Sequence, residues 1–297
     1  MIVTIIGLGL IGGSLAISLR KENFAERIIG VDRNEKNAET ALSIGLVDDV
    51  FELDDAVTAA DLVIVAVPVD QTRLLLPEVL SKISPTATVM DTGSTKQGIC
   101  TSVSNHIKRK RFVATHPIAG TENSGPLAAI PDLFNGKLSI ICDREKSDDD
   151  ALEIVQHLYK SIGMNIVYMN PEEHDLHSAY VSHLSHISSF MLGLTVLEIE
   201  KNEKTIFELA GSGFASTVRL AKSSPEMWTP VFEQNSHHLL NALDTYIDKL
   251  KIFREAIEKK DTVKLKSLMK EANDIRRILD GKKLSETTLT INGIEKC

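Results

Sequence analysis

Hydrophobic and polar positions in the first part of the chain follow two alternating periods. Short apolar runs at Ile2 to Ile6, Arg27 to Val31, Leu62 to Val67, Thr86 to Met90, Arg111 to Ala114, Leu138 to Cys142 and Asn165 to Met169 have the length of buried strands. Between them, helical spacing of apolar positions predicts helices at Leu15 to Arg20, Asn34 to Ile44, Asp70 to Ile83 and Asp148 to Gly163. Strands alternating with helices in this way imply a doubly wound, parallel α/β sheet. The pattern changes at Asn170-Pro171-Glu172-Glu173, which reads as an N-cap, a proline at the first helical position and a glutamate at the third. From there strand signals stop, and long helices broken near Gly211-Ser212-Gly213 and Ser223-Ser224-Pro225 are expected. The expected organisation is therefore an α/β domain over 1–169, an all-α domain over 170–282, and a tail over 283–297 without helical period.

The sheet pattern gives the first strand a chemical meaning. Ile2 to Ile6 runs into Gly7-Leu8-Gly9-Leu10-Ile11-Gly12 and then into a helix, a G-x-G-x-x-G turn in strand-turn-helix context. Gly7 permits the tight turn, Gly9 lets the backbone approach a pyrophosphate, and Gly12 lets helix and strand pack closely. The second strand ends in Asp32, twenty residues past Gly12, where a carboxylate can accept hydrogen bonds from an adenosine ribose. Dinucleotide binding on a Rossmann-type sheet is therefore expected, with NAD favoured because Asp32 would repel a 2′-phosphate. Arg33 could pair a phosphate, lie over the adenine or be solvated. Val67-Pro68, the end of the next strand, faces the same crevice.

Two further strand ends reach that edge. One carries Asp91-Thr92-Gly93-Ser94-Thr95-Lys96, in which Ser94 is either a plain N-cap or a hydroxyl offered to substrate and nicotinamide. The other carries His116-Pro117-Ile118-Ala119-Gly120-Thr121-Glu122, which puts an imidazole at the carboxyl end of a strand, where ligands bind open α/β sheets. In the first helix after Pro171, four histidines fall at 174, 177, 183 and 186. In an unbroken α-helix His183 would lie opposite His174, and no carboxylate has metal-ligand spacing beside His183 and His186, so no metal site is expected. Some of these histidines are expected to line a polar pocket, with His183 a hydrogen-bonded core residue. Arg219, after a glycine-rich helix break, could form an ordinary salt bridge or a bidentate carboxylate clamp.

Composition excludes more than it adds. With 33 basic against 41 acidic residues the net charge is −8, which makes nucleic acid an unexpected partner, and Lys108 to Arg111 is read as the solvated end of a helix. No apolar run approaches the roughly 18 residues that span a bilayer, and no signal peptide precedes the first strand, so a cytoplasmic protein is expected. Cys100, Cys142 and Cys297 show neither disulfide nor zinc spacing. Phe190, Met191, Leu194, Leu197, Leu239, Leu240 and Leu243 are more apolar positions than a thin helical layer needs, so a homodimer through these helices is expected.

Taken in order, the Gly7 to Gly12 loop with Asp32, D-x-G-S-x-K at 91–96, H-P-x-A-G-T-E at 116–122, the His174 to His186 segment and the Gly211 to Arg219 segment resemble the prephenate dehydrogenases over nearly the whole chain. The resemblance implies an all-α dimerisation domain and NAD-dependent oxidative decarboxylation of prephenate to 4-hydroxyphenylpyruvate in tyrosine synthesis. It implies that His116 takes the proton of the ring hydroxyl as hydride leaves C4, that Ser94 orients that hydroxyl and the nicotinamide, and that Thr121, Glu122, His174, His186 and Arg219 form the substrate pocket. Trp228 matches a position that reaches a partner's pocket, or else is a core or interface aromatic. Ser185 replaces a common proline and Ser212 interrupts a glycine run, two departures that bear on substrate fit. No fused chorismate mutase domain before Met1 and no regulatory ACT domain after Lys283 are expected. Arogenate as substrate, a different Rossmann oxidoreductase and an NAD(H)-sensing module are the alternatives.

Overall fold

The computed structural model describes residues 1–201, 203 and 205–279. Eight strands form one sheet: β1 (Ile2–Ile6), β2 (Arg27–Val31), β3 (Asp49–Val50), β4 (Leu62–Val65), β5 (Thr88–Asp91), β6 (Phe112–Pro117), β7 (Leu138–Cys142) and β8 (Asn165–Met169). Their order is β3-β2-β1-β4-β5-β6-β7-β8. The continuous apolar runs of β1 and β4 sit at its centre because helices cover both faces. On one face α1 (Leu10–Lys21) and α6 (Asp149–Ser161) bury Leu15, Leu19, Leu158 and Tyr159. On the other, α4 (Val69–Lys82) and α5 (Gln97–Ser102) bury Leu76, Val79, Leu80 and Ile99 with Trp228 and Val231.

The sheet departs from the expected all-parallel pattern at one edge. β1 to β6 are parallel, but β7 runs antiparallel to β6, and β8 is parallel to β7. The link from β6 to β7 contains no α-helix, so nothing there enforces the crossover that a parallel neighbour needs. Two small elements are additional: β3 and α3 (Leu53–Thr58) are too short to show a hydrophobic period. The basic run is not solvated as expected. Arg111 is buried, with one nitrogen on both Asp150 carboxylate oxygens at 2.7 and 2.8 Å and another donating to the Thr86 carbonyl; Arg109 donates to the Phe112 carbonyl. These guanidinium groups satisfy carbonyls around the starts of β5 and β6 that the sheet leaves open.

The change from sheet to helices falls between β8 and α7 (Pro171–Ser178). α7 leads into a π turn (Ala179–His183), α8 (Leu184–Glu200), α9 (Ser212–Thr217), α10 (Pro225–Gln234) and α11 (Ser236–Glu258). By compactness, Met1–Leu240 is one unit and the chain from Asn241 another, the latter holding α12 (Thr262–Ala272) and α13 (Ile275–Leu279). The expected tail over 283–297 lies outside the described residues.

Candidate active site

The C-terminal ends of β1, β2, β4, β5 and β6 bound a crevice that divides into two adjoining cavities. One, about 580 Å³, is lined by Gly7, Gly9, Asp32, Arg33, Val67 and Pro68 together with Phe51, Gln71 and Leu75. The other, about 660 Å³, is lined by Gly9, Leu10, Ile11, Val67, Pro68, Ser94, Thr121 and Glu122 with Met227 and Val231. Gly9, Val67 and Pro68 belong to both, so the two form one trough across the sheet edge.

The glycine loop is shaped for a dinucleotide. Gly7 has φ +97°, and a Cβ there would lie 2.4 Å from the Ala66 carbonyl oxygen. At Gly12 a Cβ would lie 1.9 Å from the Gly7 oxygen, so Gly12 serves close packing of α1 on the loop rather than lining the trough. At Gly9 nothing stands nearer than the Gly125 nitrogen at 4.0 Å, which leaves open the side a phosphate must approach and a side chain would fill. α1 starts without a side-chain cap and without an acidic residue in its first turn, so its free N–H groups suit an anion. Leu8 is wholly buried; its backbone N–H donates to Asp32 Oδ2 at 2.9 Å, while the Asn34 N–H donates to Oδ1 at 2.9 Å. Asp32 thus ties the loop to the end of β2, and each carboxylate oxygen keeps a lone pair for a ribose hydroxyl.

A chain of three titratable residues starts near the end of β6, outside the residues that line the two cavities. His116, half-buried near the end of β6, places Nδ1 2.8 Å from Nε2 of His174, with the rings at 66°. His174 Nδ1 is in turn 2.7 Å from Asp175 Oδ1, and both residues are 1% exposed. The Asp175 carboxylate also accepts the backbone N–H of Lys96 at 2.7 Å and of Gln97 at 2.9 Å. An ionised carboxylate only accepts, so His174 carries its proton on Nδ1 and accepts at Nε2. His116 must then donate from Nδ1, which leaves its Nε2 as a lone-pair acceptor. Burial, then His174, Lys96 and His183, hold the His116 pKa well below 6.5. Burial also lowers His174, against the opposing pull of Asp175. Although burial raises the Asp175 carboxyl, its bonds to His174 and the two N–H groups outweigh that and keep it low.

The remaining expected residues divide. Ser94 lines the trough but is not the cap of α5, which begins at Gln97; the free N–H groups there are taken by Asp175. His183 is not opposite His174. The π turn inserts an extra residue and so rotates the rest of the helix by about 100°, and His183 and the Asp175 carbonyl share the Asn235 amide at 3.1 and 2.7 Å. Burial lowers His183 to about 4. His186 stacks on Trp228 at 3.5 Å, and Trp228 is a buried aromatic of this chain's own core, with Phe232 beside it. Arg219, half-exposed, donates to Glu122 Oε2 at 3.0 Å, so the clamp candidate already holds a carboxylate. Among the described residues no group of three or more His, Cys, Asp or Glu could hold a metal ion. Sequence reasoning passed over Asp175, Lys96 and Asn235, although Asp175 adjoins His174 and Lys96 stands inside the Ser94 motif.

Comparison with known proteins gives a consistent result. The family model "Prephenate dehydrogenase, nucleotide-binding domain" matches residues 15–168, and "Prephenate dehydrogenase, dimerization domain" matches 170–271. Prephenate dehydrogenase of Bacillus subtilis (strain 168) is 34% identical over 92% of this chain and 75% of its own length. Cyclohexadienyl dehydrogenase of Zymomonas mobilis is 31% identical over 93% of this chain and 95% of its own. The crystal structure of prephenate dehydrogenase from A. aeolicus with hydroxyphenyl propionate and NAD+ is similar at TM-score 0.86 and 33% identity, covering 94% of this chain and 98% of that one.

Proposed function

Because the chain belongs to the prephenate dehydrogenase family, we propose that it catalyses the NAD-dependent oxidative decarboxylation of prephenate to 4-hydroxyphenylpyruvate in tyrosine biosynthesis, with His116 as general base. The observation that carries the assignment of the base is the Asp175–His174–His116 chain, which leaves His116 Nε2 as its one basic nitrogen without a partner in the chain. Bound NAD supplies the hydride acceptor.

As hydride leaves C4 of the ring, the ring hydroxyl becomes steadily more acidic. His116 Nε2 takes its proton, so the interaction strengthens toward the transition state, where it lowers the barrier. His174 and the Asp175 carboxylate then face a growing imidazolium charge and stabilise it, while Asp175 stays ionised, as in other carboxylate-oriented imidazoles. The ring carboxylate departs as CO2, its bonding pair enters the ring to make it aromatic, and His116 returns the proton to the phenolate oxygen. Arg219 exchanges Glu122 for a substrate carboxylate, an exchange that costs little because the existing pair is exposed. Ser94, Thr121 and His186 complete the substrate pocket.

Assembly as a homodimer is part of the same reading. Met191, Leu194 and Leu197 on α8 are 51%, 58% and 51% exposed, within the segment matched by the dimerization-domain description. Light scattering at micromolar concentration should give twice the chain mass, and a monomer counts against it. The reaction itself is tested by following NADH formation with prephenate and with arogenate, each with NAD or NADP and with or without tyrosine. Absence of NADH formation with either substrate ends the proposal.

A further inference from the structure

β5 and β6 are hydrogen-bonded only at Val89↔Phe112 and Met90↔Val113, and then part. The gap opens one residue before the candidate base. Thr115 would be left with an N–H and a carbonyl facing no strand, at a position with no access to water. Two charged side chains take the place of the strand. The Asp91 carboxylate accepts the Thr115 N–H at 3.0 Å and the Gly93 N–H at 2.9 Å. The ammonium of Lys96, wholly buried, is paired with Asp91 and donates to the Thr115 carbonyl at 2.6 Å. The backbone N–H of the same lysine donates to Asp175 Oδ1 at 2.7 Å. One residue thus closes, by its side chain, the open side of the strand that carries His116, whose other side is paired with β7, and holds by its backbone the carboxylate that orients His174.

We propose that Lys96 is a positioning residue of the proton-transfer chain: its ammonium, held by Asp91 in the gap between β5 and β6, sets where His116 stands relative to His174. The inference rests on the proposed role of His116 as base. A buried ion pair is a poor source of stability, since an apolar pair of similar volume often replaces it at no loss. A neutral residue at 96 would fill the space but release the Thr115 carbonyl, and the imidazole next to it would lose its fixed contact with His174. Misplacement of a catalytic group by about 1 Å costs on the order of 10²-fold in rate.

The test uses the full-length protein with Lys96→Met, and with Asp91→Asn/Lys96→Met, which leaves no charge unpaired if the single variant folds poorly. In the folded variant, kcat for NADH formation falls on the order of 10²-fold while KM for NAD and for substrate changes little. The acidic limb of kcat moves to higher pH, because the cation that lowers both His116 and His174 is gone; His183, and Asp175 behind the pair, remain, while Asp91 loses its partner in the single variant and its charge in the double one. Lys96 acting only in stability would lower Tm and leave both kcat of the folded enzyme and its pH limb as in the parent, and that result overturns the proposal. Ring-nitrogen NMR of His116 reads the same geometry without turnover. A shift of its tautomer in the double variant supports the positioning role even if neither substrate is turned over by the parent, which would sink the proposed reaction alone.

Discussion

His116 Nδ1 stands 2.8 Å from His174 Nε2, and because Asp175 claims the other nitrogen of His174, the proton between the two imidazoles belongs to His116. Which nitrogen of His116 is basic is therefore fixed by a carboxylate two residues away along the chain of contacts. Asp175→Asn tests this directly. An amide turned to donate to His174 Nδ1 reverses both tautomers and puts a proton on His116 Nε2, where an acceptor is needed. kcat is expected to fall between roughly 10²- and 10⁴-fold, with KM for NAD near that of the parent. Steady-state kinetics at matched folded concentration provide the check, and a parent-like kcat removes the chain from the mechanism.

Removing the base itself should look different in its pH dependence. His116→Asn is expected to lower kcat by roughly 10²-fold or more with little change in substrate binding. In the parent, protonation of His116 abolishes the acceptor, so kcat falls as pH drops through its pKa. Burial places that limb on the acid side of 6.5. The limb should be absent from the variant; its persistence would move the role of base to another histidine.

Much of this site is legible in the sequence, and the parts that are not share a cause. Gly7, Gly9 and Asp32 act through local spacing along one strand-turn-helix, so the pattern of residues carries the geometry. His116 is legible as a strand-end histidine, but its partner lies 58 residues away and is brought to it by tertiary packing. Placing His183 opposite His174 assumes a regular helix, and the π turn at Ala179–His183 changes the phase. Arg111 looks solvated because charge runs usually are, yet its guanidinium closes sheet carbonyls and an aspartate 39 residues on. The antiparallel β7 is invisible for a similar reason, since direction in a sheet depends on the connection and not on the strand's own sequence.

Cofactor choice depends on Asp32. Its carboxylate holds the Leu8 and Asn34 N–H groups and would meet a 2′-phosphate with like charge. NAD should be preferred over NADP, and Asp32→Ala should raise KM for NAD by more than KM for NADP. Equal or better turnover with NADP in the unmodified protein contradicts the assignment.

Arg219 should separate binding from chemistry. A carboxylate clamp acts equally in ground and transition states, so Arg219→Ala is expected to raise substrate KM with a smaller effect on kcat. Increasing ionic strength should raise the parent's KM in the same direction, because half-exposed charges are screened. A fall in kcat without a change in KM would assign Arg219 to the chemical step instead.

The same buried histidines should shape stability as a function of pH. His116, His174, His183 and His186 all have pKa values lowered in the fold, burial being the largest cause in each, whereas in the unfolded chain they titrate near 6.5. Between the folded and unfolded values the unfolded state binds more protons, so stability rises with pH there and is lost as pH falls. Above 6.5 neither state is protonated at these sites and they add no slope. For His183 the window runs from 6.5 down to about 4. Asp175, whose pKa is lowered below the ordinary 3.8, adds its loss only below that window, whereas Glu122, Glu226 and Glu255, lowered from 4.5, begin to add theirs at its acid end. Thermal unfolding monitored from pH 7.5 to 4 should show Tm nearly level down to 6.5 and then falling steeply. In His183→Gln, where the Asn235 amide still finds an acceptor, the fall over the same window should be shallower. A Tm that stays level to pH 4.5 in the parent would mean that these imidazoles are not held neutral by the fold.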